Sequence, residues 1–284
     1  MQNKIKNWSM LVALGFSMMT GLTACNKKKP IVTISQITWG FVSAETGSLS
    51  QNVTLYPYTT YKLRYNFSLS VDSNLSSNVK LQMVAEYGNV AVVSGSIDEG
   101  NGTLTELSFT DANGNQNRKA TMSVTLPKVA NQSVSSYIAI NYEAKTFGTT
   151  TTSLNFTGAE GCELSGQGQD GITKGLQVNK IKLNEPSASY NNSTKVLQWR
   201  HVGGATSYKI SLDGTFANDI SNNQVIVNVP SEAQAGDPIS YDMSEIPALA
   251  DHQAHLARVK AYSTNVNYDE SDFSEAVSVQ IVEA

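Results

Sequence analysis

The side chains best suited to chemistry are few. The chain holds three histidines, His201, His252 and His255, and two cysteines, Cys25 and Cys162. His252 and His255 form an H-x-x-H pair with Asp251 beside it. On a helix that spacing would put both rings on one face, where a third ligand could complete a metal site. The surrounding residues instead read as a strand from about Ala254, which leaves His252 in the preceding loop and turns His255 inward. The pair is read as structural, and His201, two positions after Trp199, as bordering the core. A nucleophile needs a Ser or Cys beside a histidine that an acid orients. No G-x-S-x-G occurs, and Cys162 lies between Glu160 and Glu163, an acidic setting that disfavours a thiolate. Asp111-x-Asn113-x-Asn115 has the start of a calcium loop. It lacks the glycine after Asn115, and Met122 stands where the bidentate Glu belongs, so it reads as a turn. Asp213-Gly214 with Asp219 is equally incomplete. No catalytic residue, metal or cofactor is expected. What remains is Tyr56 and Tyr58, flanking Pro57 close to Tyr61. Exposed tyrosines stack on sugar rings or anchor protein interfaces. They are the candidate binding residues, and the competing reading makes them the rim of a turn beside a core Tyr61.

Composition bounds the class of protein. With 284 residues and about 150 per domain, two domains are expected. Hydrophobic residues make up 40% and charged residues 15%, the opposite of a disordered chain. The net charge of −4 offers no surplus to neutralise phosphates, so nucleic acid is not an expected partner. Two cysteines exclude a disulfide-rich scaffold.

The first thirty residues read as an address. Lys4 and Lys6 precede an apolar run from Met10 to Leu22. A membrane-spanning helix needs about 20 apolar residues, and this run is shorter. It ends in Leu22-Thr23-Ala24-Cys25, which resembles a bacterial lipobox. The resemblance implies a lipoprotein signal peptide over 1–24, cleavage after Ala24 and lipidation of Cys25. Lipid chains contribute about 0.8 kcal/mol per buried CH₂, so multiple chains anchor stably without a span. Residues 25–30 then form a tether, in which Lys27, Lys28 and Lys29 sit beside the lipid and either are solvated or meet anionic headgroups. Asn26, in place of the Asp that marks inner-membrane retention in such lipoproteins, implies the outer membrane, with the surface or periplasmic face left open.

Beyond the tether the pattern is β. Tyr61, Leu63, Tyr65, Phe67, Leu69 and Val71 alternate with polar residues, the period of a half-buried strand. Similar runs occupy 79–84, 104–109, 122–126, 137–142 and 154–156. Turn signals at Asp98-Glu99-Gly100-Asn101-Gly102 and at 111–115 separate them. The expected fold is all-β, two tandem immunoglobulin-like antiparallel β-sandwiches. Residues 158–175 contain six glycines and no apolar period, and read as a linker. The domains are therefore expected at 31–157 and 176–284.

The second domain has strands expected near 176–183, 195–202, 207–213, 223–229, 238–243, 254–262 and 276–282. Val196-Leu197-Gln198-Trp199, then Gly204-Ala205-Thr206-Ser207-Tyr208-Lys209-Ile210, then Leu249 six residues before His255, and finally 271–279 together resemble a fibronectin type III domain. The resemblance covers about 105 residues. It departs where the corner tyrosine of the family is replaced by His255, which could supply that hydrogen bond from a smaller ring. It implies a non-catalytic module.

The function expected from these observations is a non-enzymatic, lipid-anchored cell-envelope protein. Its partners would be the membrane, through Cys25, and a protein or glycan bound by the sandwiches. The alternatives are a carbohydrate-binding accessory lipoprotein of an outer-membrane uptake system and, behind it, an envelope hydrolase with a loop-borne site.

Overall fold

The computed structural model describes residues 28–88, 91–100, 104–110, 119–216 and 225–282. The lipobox, Lys27, the turn at 111–115 and Asp219 lie outside the described residues.

The first domain is built from eleven strands: β1 (Ile31–Val42), β2 (Leu49–Ser50), β3 (Thr60–Val71), β4 (Lys80–Tyr87), β5 (Ala91–Gly100), β6 (Leu104–Thr110), β7 (Lys119–Thr125), β8 (Val134–Ala144), β9 (Gly148–Ala159), β10 (Glu163–Gly166) and β11 (Ile172–Val178). One sheet runs β10-β1-β3-β8-β5, with β2 paired to β1. The other runs β11-β9-β4-β7-β6. Alternation works as expected in β3 and β4, where every second side chain faces the partner sheet. Leu63, Tyr65 and Phe67 of one sheet meet Met83, Leu154 and Phe156 of the other in one buried cluster. The Tyr65 hydroxyl bonds Thr152 across the gap, so a polar atom in the core is satisfied there.

The expected linker does not exist as a linker. Residues 163–166 form β10, which pairs in parallel with β1 from Ile31↔Glu163 to Ile34↔Gly166. Residues 172–178 form β11, which pairs with β9 over seven positions, Ile172↔Leu154 to Val178↔Gly148. The first sandwich therefore ends at Val178, and the second does not begin with a strand at 176. The glycines that suggested flexibility serve tight geometry. Gly166 and Gly171 take φ of 71° and 64°, where a side chain is strained. Gly168 lies against Ile34, and a Cβ there would come 2.2 Å from Ile34 Cδ1.

The second domain comprises β12 (Ile181–Lys182), β13 (Ala188–Asn191), β14 (Val196–Arg200), β15 (Ser207–Leu212), β16 (Thr215–Phe216), β17 (Ile226–Asn228), β18 (Pro238–Asp242), β19 (His255–Tyr262), β20 (Tyr268–Asp269) and β21 (Val277–Val279). The sheet β13-β14-β18 faces the sheet β16-β15-β19-β21, with β17 on β15. The short strand β13 is new relative to the sequence pattern, because its residues alternate between half-buried and exposed and none is fully buried. Trp199 and Tyr208 meet edge to face at 5.1 Å in the centre of a second, separate core. Two separate clusters make this a two-domain, all-β chain. Among the described residues the helical segments are two 3₁₀ turns, and no helix is long and apolar enough to cross a membrane.

Candidate functional site

The residues singled out by type are dispersed. His201 is buried beside Tyr208, whose hydroxyl accepts from Val202 N at 2.6 Å and lies 2.9 Å from His201 Nδ1. This tyrosine, rather than His255, supplies a buried hydrogen bond in the second core. His252 ends a 3₁₀ turn in the left-handed conformation, φ 58°, with Nδ1 2.9 Å from the Ile281 carbonyl. It does lie in the loop before β19. His255 shares a strand face with buried Ala257 and Val259, yet its ring sits at the sandwich end between two carboxylates. Nδ1 is 2.6 Å from Asp213 Oδ2, and Nε2 is 3.0 Å from Asp251 Oδ1. Both ring nitrogens can donate only in the imidazolium form. Hydrogen bonds to Asp251 and Asp213 hold the His255 pKa above its ordinary value. The Leu256 amide and His255 hold Asp213 below the usual carboxylate range. With carboxylates on both sides the two nitrogens are both engaged by hydrogen bonds. Among the described residues no group of three or more His, Cys, Asp or Glu could hold a metal.

Cys162 stands in the turn between β9 and β10, its amide donating to the Ala159 carbonyl, with its side chain packed on the first core. Burial raises its thiol pKa, which lowers its reactivity. It is not in a mobile linker.

Tyr56 and Tyr58 are both exposed, Tyr58 by 50%, and they differ in how they are held. Tyr56 is 39% exposed, and its backbone amide donates to the Tyr61 hydroxyl at 3.0 Å. Tyr58 is held at φ 60°, an uncommon conformation for a non-glycine residue, and its hydroxyl is part of the domain junction. There the Asn267 carboxamide, 3% exposed, reaches from the second sandwich into the first. Its Nδ2 donates to the Tyr58 hydroxyl and, at 3.1 Å, to the Lys145 carbonyl. Its Oδ1 accepts from Phe147 N at 3.0 Å. The Ile181 amide donates to the Asn267 carbonyl, and the Asn179 amide to Leu55. Lys180 covers the Phe147 ring at 4.8 Å and pairs with Asp269 at 3.2 Å. The connection between the sandwiches is thus two residues, Asn179 and Lys180, with the Asn179 and Ile181 amides both engaged. No periodicity in the sequence marks Asn267, because its partners lie more than a hundred residues away.

Beside the junction a cleft of about 500 Å³ opens between the 51–55 segment and β11, with Trp39 among its lining residues. A second groove crosses the outer face of β1, β3 and β8. Its polar groups are paired with one another, Ser68 Oγ to Gln36 Oε1 at 3.0 Å and Asn66 Nδ2 to Thr38 Oγ1 at 3.1 Å.

No protein-family model matches the chain. No curated protein matches it in sequence. Among solved structures it is similar to a cohesin module of a Clostridium perfringens family 33 glycoside hydrolase, at 10% identity and a TM-score of 0.26, covering 54% of this chain and 98% of that one. The major pilin subunit of Bacillus cereus is 11% identical at a TM-score of 0.32, covering 88% and 68%. The C-terminal domain of a Streptococcus agalactiae AgI/II polypeptide is 6% identical at 0.36, covering 85% and 99%. Scores this low carry no argument of their own, and the architecture rests on the strand pairing described above.

Proposed function

We propose that this chain is a non-catalytic, lipid-anchored protein of the cell envelope that holds a binding module away from the membrane. The observation that carries the reading is where the chain enters and leaves the first sandwich. It enters at Pro30, whose carbonyl accepts from the Glu163 amide just beyond the Ala159 end of β9. It leaves at Val178, which pairs with Gly148 at the other end of the same strand. Twelve residues of β9 at about 3.3 Å each separate the two by roughly 40 Å. A lipid on Cys25 would therefore sit at one pole of the first sandwich, and the second sandwich at the opposite pole, joined by a short, hydrogen-bonded junction. Lys28 and Lys29 would face the headgroups. In this reading the first domain is a spacer as well as a binding surface. The second is a fibronectin type III-like module, which its strand order β13-β14-β18 against β16-β15-β19-β21 supports. The hydrogen-bonded histidines and the half-buried thiol, whose pKa is raised, support a non-catalytic reading.

Labelling cells with radioactive palmitate tests the anchor. The label is expected on the wild-type protein and absent from Cys25→Ser, which should fractionate as soluble. A labelled or membrane-bound Cys25→Ser protein would defeat the reading. Protease treatment of intact cells then separates surface display, where both sandwiches are lost, from the periplasmic face, where they survive until lysis.

A further inference from the structure

We propose that the cleft between the 51–55 segment and β11 is a subsite for a neutral, polyhydroxylated ligand, a stretch of oligosaccharide. It rests on the binding half of the function proposed above and is independent of the anchor. The cleft is built by Trp39, Asn52, Thr54, Gly175, Gln177 and Asn179. Not one of its lining residues carries a charge, so an ionic ligand would lose its hydration there with no counter-charge to replace it. The side chains of Asn52, Thr54 and Asn179 are on exposed residues at its walls, and the Gln177 amide donates to the Val178 carbonyl at 3.1 Å. A carboxamide offers a donor and an acceptor side by side, the match for neighbouring sugar hydroxyls that each do both. Trp39, 6% exposed, is among the lining residues, and its indole nitrogen, buried without a partner, lies close enough to the site to report on it. Aromatic surface with a few convergent polar groups is the general form of a small-molecule site. Gly175 keeps the space open, since a Cβ placed on it meets no atom within 4 Å.

The competing occupant is an extended peptide. β11 is the edge strand of its sheet and could pair with one through its backbone. Side-chain chemistry separates the two, because backbone pairing does not need the Asn52 and Asn179 amides.

The test uses the mature chain with Cys25→Ser, titrated with neutral hexasaccharides of glucose, mannose, galactose and xylose, and with an uncharged Thr/Val peptide. The readouts are calorimetry and the indole N–H resonance of Trp39. At least one hexasaccharide is expected to bind and move that resonance. Gly175→Leu, which fills the cleft, and the Asn52→Ala, Asn179→Ala pair are each expected to weaken it by about tenfold or more. If Gly175→Leu also lowers the melting temperature, the exposed amide pair decides. Absence of binding by every hexasaccharide, unchanged affinity in the variants, or binding of the peptide alone would each overturn the proposal. None of these outcomes bears on lipid attachment.

Discussion

The Asn267 carboxamide of the second sandwich donates to the Tyr58 hydroxyl of the first, 209 residues away in sequence. The same nitrogen reaches the Lys145 carbonyl, and the side-chain oxygen accepts from Phe147 N. One buried side chain therefore satisfies groups on two separate loops of the neighbouring domain, and the two-residue connection beside it has little freedom left.

Asn267→Ala is expected to leave Phe147 N and the Lys145 carbonyl without their partner. A buried polar group left unpaired costs about 1–3 kcal/mol. Because the cores are separate, the expected loss is of fixed domain geometry more than of either fold. Small-angle scattering should show a broader distribution of shapes, and trypsin should cut faster at Lys180. Tyr58→Phe removes a single bond and should act in the same direction but less. Scattering and cleavage rates indistinguishable from wild type would mean that Asn267 does not set the geometry.

Gly168→Ala is expected to destabilise the first sandwich. The new methyl would collide with Ile34, a wholly buried residue that has no room to retreat. Overpacking of this kind costs about 1–3 kcal/mol. Gly175→Ala is the paired control, since its Cβ enters open space. Urea titration of both variants should give a lower midpoint for Gly168→Ala alone.

Tyr208→Phe is expected to cost about 1–3 kcal/mol in the second sandwich, because Val202 N loses its acceptor in the core. His201 loses its partner as well. Thermal unfolding followed by Trp199 fluorescence reads this directly, the Trp199 ring being in contact with Tyr208. A melting temperature within error of wild type would show that water replaces the hydroxyl.

The His255 clamp predicts a pH dependence with a definite sign. The His255 pKa is raised in the folded chain. Its contribution is complete below the unfolded value of about 6.5 and is lost as the pH rises through the folded value. Asp213 and Asp251 are shifted down. Their contributions are complete above about 3.9 and are lost as the pH falls through their folded values. The second sandwich should therefore be most stable between these limits, with His255→Gln flattening the alkaline side. The groups are largely solvent-facing, so the effect is small. Proton resonances of the His255 ring titrating at or below the ordinary histidine value would refute the clamp.

Much of the fold was legible in the residues. The period-two run from Tyr61 to Val71 specifies both the strand β3 and the face it buries, because alternation is a local property of extended backbone. The resemblance to a fibronectin type III pattern marked Trp199 as core, and it is buried, as are Tyr208 and Leu249 of the same pattern. The strand β13 was not legible, since no residue in it is fully buried. The 158–175 stretch misled for a related reason. Its glycines are equally compatible with a flexible tether and with turns too tight for a Cβ, and only the presence of β1 and β9 alongside selects the second.

The sequence by itself therefore determined the all-β class, the burial pattern of the long strands and the scarcity of catalytic groups. These depend on residue type and on neighbours two or four positions away. Tertiary structure alone decided that Tyr58 belongs to a junction, that His255 is clamped by two carboxylates, and that Trp39, Asn52 and Gly175 border one cleft. Each of those includes at least one contact across more than 40 residues of chain. Strand order and register set such contacts, and the local pattern of a strand says which face is buried without saying which strand will cover it.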